Sequence, residues 1–237
     1  MSLFTAVEMA PRDPILGLNE QYAADPNPAK VNLGVGVYFD DNGKLPLLQC
    51  VQAAEKAMMD KPAARGYLPI DGIAAYDNAV KALVFGAESD VVKAGRVATV
   101  QAIGGTGGLK IGADFLKKIS PNAKVLISDP SWENHRAIFT NAGFEVGSYR
   151  YYDAANRKVD FDGMLADLNA AAPGTIVVLH ACCHNPTGYD ITATQWEQVI
   201  AAVKAKGLVA FLDMAYQGFG YGIQEDGAVI EIGRAHV

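Results

Sequence analysis

The segment His180-Ala-Cys-Cys-His-Asn-Pro-Thr-Gly188 and, one helix-length later, Asp213-Met-Ala-Tyr216 set an amide, a carboxylate and a phenol at the ends of two successive apolar runs. Pro186 fixes a turn from which Asn185 presents its amide toward the crevice at the strand ends. Asp213 closes the run Gly-Leu-Val-Ala-Phe-Leu, and a carboxylate directly after a buried strand is costly unless it is paired or used. Set against a protonated nitrogen of a flat heterocycle, it would hold that proton and let the ring draw in electrons. Tyr216, three residues on, could donate its phenol to an oxygen on the same ring. A helix-capping Asp beside a core Tyr accounts for that pair equally well.

Two further segments offer weaker chemistry. Gly104-Gly-Thr-Gly-Gly108 follows an expected strand and opens an expected helix, so its N–H groups can face an anion, with the Thr106 hydroxyl beside them. It is neither G-x-G-x-x-G nor a P-loop, and a plain tight turn fits as well. Trp132, in Ser128-Asp-Pro-Ser-Trp-Glu-Asn-His135, could lay its indole on a flat ring, although packing is the commoner use of a tryptophan. His180, Cys182, Cys183 and His184 invite a metal. Adjacent cysteines on a strand point to opposite faces, so no metal is expected there, only buried thiols and hydrogen-bonded histidines.

The elements that must position these residues follow from the pattern of apolar runs. Strand-like runs at Ala98–Ile103, Lys124–Ser128, Glu145–Tyr151, Thr175–His180 and Leu208–Leu212 alternate with helical patterns near Gly107–Ile119, His135–Ala142, Phe161–Ala171 and Ala193–Lys206. This is an α/β pattern: a mostly parallel sheet with helices on both faces, whose ligands bind at the carboxyl ends of the strands. Earlier helical patterns cover Leu47–Met59 and Ile73–Phe85, after a Pro- and Asn-rich arm holding one strand-like run, Val31–Val37. Half of the 237 residues are hydrophobic, with 20 Lys and Arg against 26 Asp and Glu and no basic run, which argues against a nucleic-acid partner. The N-terminus lacks the features of a signal peptide, the apolar runs are too short to span a membrane, and three cysteines make no disulfide framework. Reduced cytoplasm is the expected location.

Together these segments resemble the aspartate and aromatic amino acid aminotransferases, the fold-type I enzymes that use pyridoxal phosphate. The resemblance rests on Val31-Asn-Leu-Gly-Val-Gly-Val-Tyr38, Tyr67-Leu-Pro-Ile-Asp-Gly72, Gly104-Gly-Thr-Gly107, Pro130-Ser-Trp-Glu-Asn-His135, Cys182-Cys-His-Asn-Pro-Thr-Gly188 and Asp213-Met-Ala-Tyr-Gln-Gly-Phe219, in that order. It implies that Gly104, Gly105 and Thr106 hold the cofactor phosphate and that Trp132 stacks on the ring. Asn185 and Tyr216 would bond the ring's 3-oxygen, Asp213 would pair with its nitrogen, and His135 would support Asp213. Gly36 would lie against the substrate carboxylate, where Trp132 and Asn185 also face the substrate. Tyr67 would reach a phosphate in a second subunit, which implies a homodimer.

The resemblance also implies an amino-group transfer between an aromatic or acidic L-amino acid and 2-oxoglutarate; the motif details look closer to the bacterial aromatic branch. In the family the Schiff-base lysine lies in a Ser-x-Ser-Lys-like segment, expected beyond this chain's end, and no lysine here, Lys110 included, has that context. The expected organisation is therefore 1–45 as an arm and the start of a small domain, 46–230 as an incomplete large domain, and 231–237 as a non-native tail. Its Ile-Gly-Arg-Ala-His-Val matches one reading frame of a common sequencing-library adapter. Such a chain would expose apolar sheet and interdomain surface and turn over poorly. A cofactor-fold fragment without activity, or a nicotinamide dehydrogenase with Asp129 as its ribose acid, are the alternatives.

Overall fold

The computed structural model describes residues 3–9, 16–32, 34 and 36–235. The chain forms two compact units, Met1–Gly66 and Tyr67–Val237. The first holds a 3-10 turn, Leu3–Ala6, and two helices, α1 (Leu16–Ala24) and α2 (Gln49–Asp60). The stretch read as an irregular arm thus carries a helix. The Lys30 ammonium closes its end, donating to the carbonyls of Tyr22 and Asp25 at 2.5 and 2.7 Å, where a cation offsets the helix dipole. The expected run Val31–Val37 contains no strand among its described residues. No ladder partner runs beside it there, and extended backbone becomes a strand only through such a partner.

The second unit contains helices α3 (Ala74–Phe85), α4 (Asp90–Lys93), α5 (Gly104–Ile119), α6 (Glu133–Asn141), α7 (Phe161–Ala170), α8 (Ala193–Lys206) and α9 (Ile223–Ala235). Its strands are β1 (Lys124–Asp129), β2 (Glu145–Arg150), β3 (Tyr152–Asp153), β4 (Lys158–Val159), β5 (Ile176–His180) and β6 (Val209–Asp213). Ala98–Ile103, expected as a strand, is none; Gln101 there makes its bonds to the loop before α3, donating N–H to the Asp71 carbonyl and accepting from Ile73 N–H. The main sheet runs β2-β1-β5-β6, parallel throughout, and β3 and β4 form a small hairpin.

Side-chain alternation sorts the sheet into two cores. Val125, Ile127, Ile176, Val178 and Phe211 pack with α5 and α6 residues such as Leu109, Ala113, Ile138 and Phe139. Val177, Leu179, Leu126 and Leu212 pack on the opposite face with α7, α8 and α9 residues such as Leu168, Trp196, Val199 and Val229. Helices therefore cover both faces, which a parallel sheet requires. α8 is closed at both ends. Thr192 and Gln195 form a reciprocal capping box, and Gly207 takes the left-handed cap.

The chain winds outward from β1 to β2, then crosses back to place β5 on β1's other side. That reversal opens a crevice at the carboxyl ends of β1 and β5, where the residues singled out in the sequence converge. Elsewhere the surface stays apolar: Ile70, Ile103 and Tyr67 stand almost wholly in solvent. A cavity of about 1030 Å³, bordered by Leu179, Trp196, Ile200, Leu212 and Val229, opens on the α8–α9 face. Surface of this kind marks contact with further protein or an aggregation liability.

One packing contact sets a firm expectation. A Cβ added at Gly112 of α5 would lie 2.8 Å from Cε2 and 3.0 Å from Cζ of Phe211, whose ring is itself wedged edge-on against Phe139 at 5.2 Å. Gly112→Ala should therefore destabilise the protein by about 1–3 kcal/mol through overpacking, despite the helix propensity gain of about 1 kcal/mol. A urea midpoint that rises instead would show that the ring yields freely.

Candidate active site at the strand ends

β1 and β5 end side by side, and His180 on β5 is in register with Asp213 on β6. The ends of these three strands, the segments leaving them and the first turns of α5 enclose a small pocket of about 90 Å³, lined by Gly105, Leu109, Trp132, His180, Cys182, Asn185, Asp213, Ala215 and Tyr216. Five residues singled out from sequence thus meet in one place: Gly105, Trp132, Asn185, Asp213 and Tyr216. Gly104 and Thr106 adjoin Gly105 in the exposed first turn of α5. That turn has no side-chain cap, and a Cβ at Gly104 or Gly105 would meet nothing within 4 Å. Its N–H groups are open to an anion.

Asp213 sits at the floor of the pocket. Its Oδ2 accepts from Nε2 of His135 at 2.8 Å; the imidazole is fully buried and the carboxylate about one-fifth exposed. That bond uses one carboxylate oxygen, and an Asp can accept further donors. The buried histidine fixes the carboxylate against rotation.

The tautomers follow from the neighbours. Nδ1 of His180 accepts the Asn185 N–H at 3.4 Å. Burial, and next the adjoining His135, push the His180 imidazolium down to about 4, while Asp213 acts in the opposite sense. The neutral ring therefore carries its proton on Nε2, 3.3 Å from Oγ of Ser131. Ser131 is then free to donate to Nδ1 of His135 at 2.9 Å, which leaves His135 Nε2–H to donate to Asp213. Each ring nitrogen and hydroxyl of this relay has a partner, so Oδ2 of Asp213 is held by a network reaching back to the backbone of Asn185.

A second buried histidine completes the wall. His184 lies between Oγ of Ser128 at 2.9 Å and Oγ1 of Thr187 at 2.8 Å. Tyr151 stacks on it with ring centroids 3.9 Å apart and planes 14° apart. Burial first, and then His180 and His135, drive its imidazolium down to about 3. Asp190 accepts the N–H groups of Cys183 and His184 at 2.7 and 2.8 Å, fixing the turn that carries Asn185. On the other side the Trp132 ring stands edge-on to His135, centroids 5.4 Å apart.

The remaining sequence candidates are placed differently. Tyr67 opens the second unit with its side chain fully exposed, and Gly36 belongs to the first unit. The cysteine geometry differs from expectation. β5 stops at His180 and Cys183 takes a left-handed φ of 49°, so the alternation of a strand no longer applies. Both sulfurs and an Asp226 oxygen lie within 4.8 Å of one another. They still make a poor ligand set: Asp226 spends its oxygens on three backbone N–H groups, and burial pushes the Cys182 thiol up to about 12. Sequence reasoning missed Ser131, Ser128, Thr187, Asp190 and Asp226. None carries a local signal beyond being a polar residue near the end of a strand, in a loop beside one, or in a first helical turn.

Comparisons with known proteins give the family. The sequence pattern of Aminotransferase class I and II matches residues 28–235. This chain belongs to that family. It is 64% identical over 232 residues to the aspartate aminotransferase of Pseudomonas aeruginosa, covering 98% of this chain and 58% of that protein. It is 49% identical over 229 residues to the aromatic-amino-acid aminotransferase of Escherichia coli, again covering 58% of the relative. The structure superimposes with a TM-score of 0.95 on the aromatic-amino-acid aminotransferase of Burkholderia pseudomallei, which is covalently bound to pyridoxal phosphate; identity is 64%, and the match covers all of this chain and 59% of that one. The chain thus spans about 58% of the length of the curated relatives it matches, and has the family's α/β fold. Membership in the family and the missing strand before Gly104 together overturn the dehydrogenase alternative, which needs its glycine turn on the first strand of a βαβ unit. Among the described residues, no helix is long and apolar enough to cross a membrane.

Proposed function

We propose that this chain carries the cofactor pocket of an aminotransferase that uses pyridoxal phosphate to move an amino group between an aromatic or acidic L-amino acid and 2-oxoglutarate. The observation that carries the reading is Asp213, fixed by buried His135 at the floor of a pocket shared with Trp132, Asn185, Tyr216 and Gly105. The donor set fits the group: an uncapped glycine turn for a phosphate, and an indole, an amide, a phenol and a carboxylate for a ring. Bound there, the cofactor would supply a protonated ring that spreads the negative charge left when an amino acid loses its α-proton.

In this reading Asp213 holds a proton at the ring nitrogen, while His135 and Ser131 keep the carboxylate aimed. Asn185 and Tyr216 bond the ring's 3-oxygen, Trp132 covers a ring face and excludes water, and Gly104, Gly105 and Thr106 bind the phosphate. Gly36 lies against the substrate carboxylate. Tyr67 serves a phosphate in a second subunit of a homodimer, and its full exposure leaves it available for that role. A cytoplasmic location is proposed; one relative is the cytoplasmic aspartate aminotransferase of Oryza sativa, another a chloroplastic one of Arabidopsis thaliana. Transamination is proposed for a polypeptide of the relatives' length. This chain alone is proposed to bind the cofactor with little turnover, because among the described residues no lysine lines the pocket.

The test is a titration of the purified chain with pyridoxal phosphate, followed by absorbance between roughly 320 and 430 nm, where protein contacts tune the ring's electronics. Saturable binding is expected. It should weaken about ten- to a hundred-fold in Asp213→Ala, the scale of a lost charge-assisted hydrogen bond. Borohydride should trap the cofactor only at scattered surface lysines. Failure to saturate, or identical binding by Asp213→Ala, would refute the reading.

A further inference from the structure

The loop that carries Tyr216 is suspended from one buried side chain. Asp226, 4% exposed, lies in the first turns of α9 and reaches back toward the preceding segment. Its Oδ2 accepts the N–H groups of Gly218 and Gly220 at 2.8 and 2.9 Å, and its Oδ1 accepts Tyr221 N–H at 2.9 Å. Gln217 adds a bond from Nε2 to the Ile223 carbonyl at 2.9 Å. The approach is too close for a side chain on the loop: a Cβ at Gly220 would lie 2.6 Å from Asp226 Oδ1.

α9 itself is anchored. Val229, 3% exposed, and Ile230 lie three and four residues beyond Asp226 and pack into the core formed with α8, so one face of the helix joins the core to the loop. Burial alone would raise the Asp226 carboxyl. The backbone donors of Tyr221, Gly220, Gly218 and Gly222 outweigh it and hold the group below the usual carboxylate range. Tyr216, by contrast, is 44% exposed at the pocket's edge, and its side chain contributes little of its own anchorage.

We propose that Asp226 is a positioning residue, fixing the Tyr216–Gly222 loop on α9 so that the Tyr216 phenol stays beside Asp213 and Asn185 at the pocket. This rests on the cofactor reading above only for what the phenol then touches; the hold on the loop stands independently of it.

Two measurements on the whole chain separate these parts. Without ligand, Asp226→Asn turns one acceptor into a donor facing N–H groups, so amide exchange across residues 216–222 should accelerate about ten-fold or more while β1 and β5 amides are unchanged. Gly220→Ala attacks the same contact from the loop side and serves should Asp226→Asn fold poorly. With pyridoxal phosphate, losing the phenol in Tyr216→Phe should raise the pH midpoint of the bound chromophore, since a donor to the ring oxygen favours its ionised form. Asp226→Asn should shift that midpoint the same way, and adding it to Tyr216→Phe should shift it no further. Unchanged loop exchange, or shifts that add in full, would overturn the proposal. Absence of cofactor binding by the parent chain would instead sink the functional reading, with the exchange data still deciding whether Asp226 holds the loop.

Discussion

Asp213→Ala should lower transamination about 10²–10³-fold, the scale seen when a preorganised electrostatic partner of a developing charge is removed. The assay polypeptide is a chimera in which this chain replaces the matching 58% of the Pseudomonas aeruginosa relative. Cys183→Ala in the same chimera should cost less than about three-fold, because its sulfur meets the Tyr216 carbonyl only at a weak 4.0 Å and otherwise adjoins Cys182 and Asp226. Alanine at 213 also strands the fully buried His135 Nε2–H, an unsatisfied donor costing about 1–3 kcal/mol of stability. Asp213→Asn separates the two effects. Its amide oxygen can still accept from His135, so stability should be nearly retained while the rate falls almost as far. Equal rate losses at 213 and 183, or an Asn variant with near-parental rate, would remove Asp213 from its assigned place.

Acid should destabilise the protein well before its carboxylates protonate. His180 and His184 start near 6.5 in the unfolded chain and fall to about 4 and about 3 in the fold, mainly through burial. Below pH 6.5 the unfolded state therefore binds more protons than the folded one. The stability these rings confer is whole above pH 6.5 and is lost as pH falls toward the folded values. Two such groups give a slope approaching about 2.7 kcal/mol per pH unit between roughly pH 6 and 4.5, or about 3.5–4 kcal/mol over that descent. Against a typical domain stability of about 5–15 kcal/mol this is large. Asp226, whose pKa is lowered from 3.8, adds its own loss only below that value. Urea midpoints from pH 7.5 to 4.5 would measure the slope, and His184→Gln should roughly halve it. A flat profile would mean that the rings are not buried neutral.

How far the sequence leads depends on whether a feature is local. α8 runs from Ala193 to Lys206 as its apolar periodicity predicts, and α7 ends within one residue of expectation, because an amphipathic helix records its buried face every three or four residues. The apolar run Ala98–Ile103 looks as strand-like as Leu208–Leu212, yet only the second is paired, along β5. Strand identity lies in the neighbour, which local composition does not name. The first unit's α1 has almost no amphipathic pattern, so local composition does not announce it either.

The site divides along the same line. Asn185, Asp213, Tyr216 and Trp132 are legible in the sequence because each chemical type stands at the end of a run that must be a buried strand, and parallel sheets put their ligands there. The resemblance already implies that His135, 78 residues before Asp213, supports it, and the fold makes that bond. What only the tertiary structure decides is that Ser131 and His180 extend the relay and that Asp226 reaches the loop bearing Tyr216. Those contacts depend on β5 crossing back beside β1 and on the register that sets His180 opposite Asp213. Hydrogen bonds act over about 3 Å and carry no trace in sequence separation. The order of strands, fixed by packing both faces of the sheet at once, brings the partners within that reach.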